Sequence, residues 1–252
     1  MPKAPERTTK VRRPVEPSAG ADGATVRLKV TTALRDAIRD LTLSPGQRLV
    51  ERELVESYGV SRATIREVLQ TLSSEGLVTC VPQRGATVST VDISDARDIY
   101  EIREKLECML VRQFAERASR AQRLRLEVAV EEFAEAVEAG LPIGRTLTVK
   151  DRFYEVLLEG ADSNVLKEVI GSIQARVTQL RATSMSTSGR GEVAAQELRA
   201  VAAAVSGGDA AAAVSAYAHH IRRAAQTATD ALSRTGPDRE EAGAGLTEQA
   251  SS

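Results

Sequence analysis

The sequence predicts a mainly α-helical protein: a small N-terminal module of short helices and one β-hairpin, then an all-α bundle of six or seven helices. Three observations lead there. Aromatic residues make up 3% of the 252 residues and tryptophan is absent, so Ala, Leu and Val must fill the core, which favours helix packing over a β-sandwich. Strand-prone runs are confined to residues 77–81 and 86–89. From residue 92 to about 233, apolar residues recur only at three- and four-residue steps.

Residues 1–24, rich in Pro, Gly, Ala and charge, are expected to form a disordered arm, and residues 234–252 a second disordered tail. The arm's basic residues either touch nucleic-acid phosphates or are simply solvated. The module of residues 25–91 opens with a helix whose apolar side carries Leu34, Ala37, Ile38 and Leu41. Ser44, Pro45 and Gly46 make a turn. Residues 51–58 form a short second helix, and Gly59 suits a left-handed cap at its end. Ser61 caps a third helix in which Ile65, Val68, Leu69 and Leu72 face inward. Helix, tight glycine turn, helix is a helix-turn-helix. After Gly76 the two strand-prone runs, joined by Pro82-Gln83-Arg84-Gly85, form a hairpin that serves as a wing.

The charges of this module point to an anionic partner. Arg62 and Arg66 sit at the start of the third helix, where the helix dipole disfavours cations by about 0.3–1 kcal/mol each. Arg52 breaks the same rule in the second helix. DNA phosphates and guanine edges would remove the conflict, since both match the planar fork of arginine. The competing reading pairs these arginines with Glu51, Glu53 or Glu67. Arg84 at the wing tip suits a minor groove, and Gly85 allows close backbone approach.

Residues 49–54, then Gly59-Val60-Ser61-Arg62-Ala63-Thr64-Ile65-Arg66-Glu67-Val68-Leu69, then Leu72, Glu75-Gly76-Leu77 and Arg84-Gly85, resemble the N-terminal domain of GntR regulators. The resemblance implies operator contacts by Arg52, Ser61, Arg62, Thr64 and Arg66, with Gly85 marking the wing tip. It also implies a homodimer on a short palindromic stretch of double-stranded DNA.

In residues 92–233, Ile99, Ile102, Leu106, Leu110 and Phe114 form one stripe of a long helix at 95–118. Similar stripes run through about 121–139, 147–160, 163–183, 191–206 and 209–233. Stop signals separate them: Gly140 and Pro142, Gly160, Gly189 and Gly191, Gly207 and Gly208. The first long helix follows the wing directly, so its tilt can set the spacing of two winged modules in a dimer.

This half resembles the FadR-like subgroup with its FCD-type C-terminal domain, which senses a small acid. The markers are residues 99–107, then Asp151-Arg152-Phe153, Leu157, Asn164, Leu166, Glu197, Gly208-Asp209 and His220-Ile221. Many members of the subgroup hold a metal with one Asp and three His. Here the matching positions are Lys150, Tyr154, Leu198 and His220, so only one ligand remains and no metal or other cofactor is expected. A shifted site using Asp151 or Glu155 is the alternative. With Lys150 in the ion's place, a carboxylate or acyl effector would pair with Lys150 and Arg103, while Tyr154 and His220 add hydrogen bonds. The competing reading has Lys150 in an internal salt bridge and the pocket packed shut.

The whole then reads as a sequence-specific transcription regulator, a repressor, whose operator affinity a small effector modulates. An enzyme is not expected, because no nucleophile elbow, P-loop, dinucleotide fingerprint or paired-histidine motif occurs. An architectural DNA-binding protein needs a basic surplus. The module of residues 25–91 has nine Lys/Arg against seven acids, a surplus of only two, and the chain carries −1 overall. The two cysteines are expected to be buried thiols of a reducing compartment. No apolar run of about 18 residues occurs, and the first 24 residues lack an apolar leader, so a cytoplasmic protein without membrane contact is expected.

Overall fold

The computed structural model describes residues 23–81 and 85–235. The expected arm at residues 1–22, Arg84 at the wing tip and the tail from residue 236 lie outside the described residues. Two compact units part between Thr90 and Val91.

In the first unit, α1 (Gly23–Arg39) starts two residues ahead of the expected module and buries Val30, Leu34 and Ile38. Leu41 does not extend this helix. The chain reverses there, with Leu41 at φ 60, and the Leu43 N–H closes onto the Ala37 carbonyl at 2.8 Å. Leu43 therefore takes the core position that the helical period assigned to Leu41. After β1 (Arg48–Leu49) come α2 (Glu51–Tyr58) and α3 (Arg62–Ser74), and then β2 (Val78–Val81) and β3 (Gly85–Val88). The strands form one antiparallel sheet in the order β1-β3-β2.

The strand β1 is an addition to the expected hairpin. Two residues are too short to show alternation, and β1 exists through its pairing, Arg48 opposite Thr87 and Leu49 opposite Ala86. Gly85 is not part of the connecting turn but the first residue of β3, opposite Val81. Cys80, expected to be buried, is exposed, because β2 buries only Val78 and leaves its other three residues outward.

The second unit holds α4 (Ile93–Arg117), α5 (Arg120–Glu138), α6 (Ile143–Ala161), α7 (Asn164–Met185), α8 (Arg190–Ser206) and α9 (Ala210–Thr235). Here α4 packs chiefly on α9, and α5 packs on α8 and α6. Alanines, leucines and valines fill most of the core, and the three phenylalanines, Phe114, Phe133 and Phe153, are all fully buried in it. Gly160 does not end α6. It lies within that helix against the Phe114 ring, while Asp162 in left-handed conformation (φ 50) provides the stop. The α4 stripe also differs from expectation. Ile102 is 45% exposed, and the polar pair Arg103 and Glu107 is buried in its place. Among the described residues no helix is long and apolar enough to cross a membrane.

Candidate functional site

The turn between α2 and α3 is built from backbone demand. Gly59, at φ 63, closes α2 with its N–H on the Val55 carbonyl at 2.9 Å. The hydroxyl of Ser61 accepts the Thr64 N–H at 3.1 Å and so satisfies one of the free amides of α3. Thr64 is half-buried, and its hydroxyl lies 2.9 Å from that of Ser61. Burial of Ile65, Val68, Leu69 and Leu72 fixes the roll of α3 and turns Arg62 and Arg66 to the surface.

The two helix starts differ. The first turn of α2 contains Glu51 and Glu53, which offset the charge of exposed Arg52. The first turn of α3 contains no acid. Arg62 is exposed and forms no ion pair with a described residue. Arg66 does meet Glu51, with Nε 3.1 Å from both carboxylate oxygens, but the pair is open to water and worth little. Glu67 instead pairs with Arg27 at 2.8 Å.

Gly85 adopts φ +91, a conformation that favours glycine, and a Cβ there would stand 3.9 Å from Nε and Nη2 of Arg48. Exposed Arg48 therefore sits beside the wing. Sequence spacing gave no signal for it, because only the pairing of β1 brings it there.

In the second unit, side chains from five helices converge on a small cavity. Its lining includes Arg103 from α4, Lys150 from α6, Arg181 and Met185 from α7, Arg190 from α8 and His220 from α9. Space for water centres is about 10 Å³, room for one water molecule. Three of the four residues expected here, Arg103, Lys150 and His220, are thus brought together. Tyr154 is not on the lining; it lies under Arg181, whose guanidinium carbon is 3.7 Å from the ring centroid. Sequence reasoning missed Arg181, Arg190 and Glu107, which sit on faces that hydrophobic periodicity assigns to apolar residues.

The cluster is only partly self-satisfied. Arg103 Nε donates to Glu107 at 2.9 Å, and Tyr217 donates to the other Glu107 oxygen at 2.5 Å. Arg190 Nη2 donates to Glu197 at 2.8 Å, and Arg181 Nη1 to Asp151 at 3.1 Å. Five buried guanidinium nitrogens have no hydrogen-bond partner among the described residues: Arg103 Nη1, Arg181 Nε and Nη2, and Arg190 Nε and Nη1. Buried polar groups are normally paired, so this is a concentrated exception.

His220 Nδ1 lies 2.6 Å from Glu197, and its Nε2 lies 3.3 Å from Lys150 Nζ. A carboxylate only accepts, so Nδ1 carries the proton and the Nε2 lone pair accepts from Lys150. Burial, followed by the neighbouring Arg181, Arg103 and Arg190, holds Lys150 well below the usual lysine range. Burial and then Lys150 push His220 well below the usual histidine range. For Glu107, burial favours the acid form, but Arg103 and Arg181 outweigh it and keep the group below the usual carboxylate range.

A larger groove of about 440 Å³ lies open between α5 and α6. Of its charged residues, Glu132 and Arg152 pair with each other at 2.8 Å and Glu135 is exposed to solvent, so it presents no comparable buried unmet group.

Comparison with known families agrees with both units. The description "Bacterial regulatory proteins, gntR family" matches residues 27–88, and the FCD domain matches residues 98–223. The chain belongs to the GntR family of bacterial regulators. Its GntR unit binds DNA, and the family and its relatives are transcriptional regulators, not enzymes.

This GntR regulator is 28% identical over 156 residues to the HTH-type transcriptional repressor RspR of Escherichia coli, covering 62% of this chain and 68% of that one. It is 26% identical over 174 residues to the uncharacterized regulator YdhC of Bacillus subtilis, covering 69% and 78%. Among solved structures, E. coli McbR/YncC shares its fold at TM-score 0.71 and 21% identity, over 84% of this chain and 99% of that one. A putative GntR regulator from Rhodococcus does so at TM-score 0.70 and 24% identity, over 81% and 97%.

The metal implied by the FadR-like resemblance does not fit the residues present. The Nε2 lone pair of His220 faces the Lys150 amine, and Leu198 is fully buried in the core. No group of three His, Cys, Asp or Glu able to hold an ion occurs among the described residues.

Proposed function

We propose that this GntR-family regulator is a cytoplasmic repressor that binds a short palindromic operator as a homodimer. A small carboxylate or acyl effector, held without a metal in the cavity of the FCD unit, sets its operator affinity. The observation that carries the effector reading is the set of five unpartnered guanidinium nitrogens around one cavity. Leaving buried donors unmet is costly, and an anion would meet them. The repressor reading is supported by the name of the RspR relative.

For DNA, Arg52, Arg62 and Arg66 are the proposed base or phosphate contacts, with Ser61 and Thr64 supporting the start of α3. Arg84 and Gly85 are the proposed wing contacts, joined by Arg48. For the effector, Arg103, Lys150 and His220 are proposed contacts, and Tyr154 holds Arg181 in place. The cavity has room for one water, so an organic acid must part the lining helices on entry. Arg103 sits on α4, the helix that follows the DNA-binding unit along the chain. An effector that prefers the parted arrangement changes operator affinity by its differential affinity for the two states.

The test is selection of bound sites from random DNA with the full chain, followed by affinity measurements with and without a panel of small carboxylates and acyl compounds. A palindromic consensus, and an affinity change of about fivefold or more with a panel member, is expected. Equal affinity for consensus and random DNA would overturn operator recognition. A panel in which no compound moves either affinity or melting temperature would overturn the effector reading.

A further inference from the structure

Resting on the effector reading above, we infer that the cavity takes a compact dianion, a ligand presenting at least three oxyanion oxygens, rather than a simple monocarboxylate. The argument is a count of donors and a matter of their geometry. Arg181 is nine-tenths buried or more, and its guanidinium carbon lies 3.7 Å from the Tyr154 ring centroid with Nη1 on Asp151. Its remaining two nitrogens, Nε and Nη2, have no partner. Together they form one edge of the guanidinium fork, the shape that receives two oxygens of a carboxylate or phosphate side by side.

That edge takes two of the four lone-pair sites of a monocarboxylate and leaves two for three further nitrogens. Of Arg103 Nη1 and Arg190 Nε and Nη1, at least one would still be unmet, and these side chains are only 1% and 5% exposed. Five nitrogens, each with at least one N–H, exceed the four lone-pair sites of a single carboxylate. The charge balance agrees. Three arginines, Arg103, Arg181 and Arg190, face two carboxylates that are nearly or fully buried, Glu107 and Glu197, while Asp151 is 27% exposed; Lys150, an uncharged amine in the ligand-free cavity, would regain its proton beside a second ligand charge. Among the described residues, Lys150 has the neutral ring nitrogen of His220 as its hydrogen-bond partner and no carboxylate. A ligand with a third and fourth oxygen and a second charge answers both deficits. A phosphate monoester and a short dicarboxylate share this chemistry.

The test is calorimetric titration of the full chain at fixed ionic strength with inorganic phosphate, succinate and butyrate. Arg181→Lys, which keeps the charge and loses the fork, is titrated in parallel. Phosphate, succinate or both are expected to bind at least tenfold more tightly than butyrate, and Arg181→Lys is expected to lose at least tenfold of that affinity. Binding of phosphate alone assigns a phosphate group, and binding of succinate alone assigns a dicarboxylate; either supports the inference. Should Arg181→Lys not fold, Arg190→Lys replaces it with the same expectation. Butyrate binding as tightly as both dianions overturns the inference while leaving a carboxylate effector standing. If none of the three binds, the dianion inference falls, and the effector reading is decided separately by the wider panel.

Discussion

Lys150 Nζ stands 3.3 Å from Nε2 of His220, on the lone pair that a metal ion would need. The purified protein is therefore expected to contain no stoichiometric zinc, nickel or manganese, and a chelator should leave its melting temperature unchanged. Elemental analysis checks this, and one metal per chain would overturn the ligand assignment.

The same amine makes stability depend on pH. Burial and three arginines hold folded Lys150 well below its ordinary value of 10.5. Below 10.5 the unfolded chain holds a proton on Lys150 that the folded chain does not, so stability rises with pH across that window. Lys150→Met removes the liability. It should raise the stability of the ligand-free protein by about 1–4 kcal/mol at neutral pH and flatten its pH dependence between about pH 7 and 10. Urea melts across that range decide it, and an unchanged slope counts against the buried neutral amine.

Gly160 is set against the Phe114 ring, with no space for a side chain. Alanine is the better helix former by about 1 kcal/mol. The clash is expected to win, with Gly160→Ala losing about 1–3 kcal/mol net. Phe114→Leu in the same chain should recover part of the loss. A stabilised single variant would mean that α4 and α6 can move apart at that point.

Arg62 begins α3 with no acid in its first turn, whereas Arg66 already has Glu51. Arg62→Ala is expected to cost about 1–3 kcal/mol of operator binding and leave folding intact. Unchanged affinity in both Arg62→Ala and Arg66→Ala would remove the start of α3 from the interface.

Much of the first unit was legible in the sequence because its signals are local. Gly59 and Ser61 act within one turn of their own positions, and the inward face of α3 follows a single period. The wing was legible only in outline, since β1 is recognised by its partner Thr87 and not by its own two residues. The bundle's helices showed in their stripes, but its polar centre did not. Periodicity places apolar residues on α4 and so prefers Ile102, whereas the fold buries Arg103 and Glu107 because other helices bring Tyr217 and Arg181 to meet them. Gly160 was misread for a related reason. A glycine that ends a helix and one that admits a neighbouring ring look alike until the ring is in place.

The exposed contact between Arg66 and Glu51 has one more consequence. If Arg66 contacts DNA as proposed, it must first leave Glu51, so its approach to DNA would be an exchange of partners. Where DNA offers only a phosphate, one exposed ion pair replaces another and little is gained. Where it also offers a matching base edge, the exchange runs forward. On that proposal, an acid within the protein would act as a competitor that random DNA barely outbids, and selectivity would begin with a contact made before any DNA arrives.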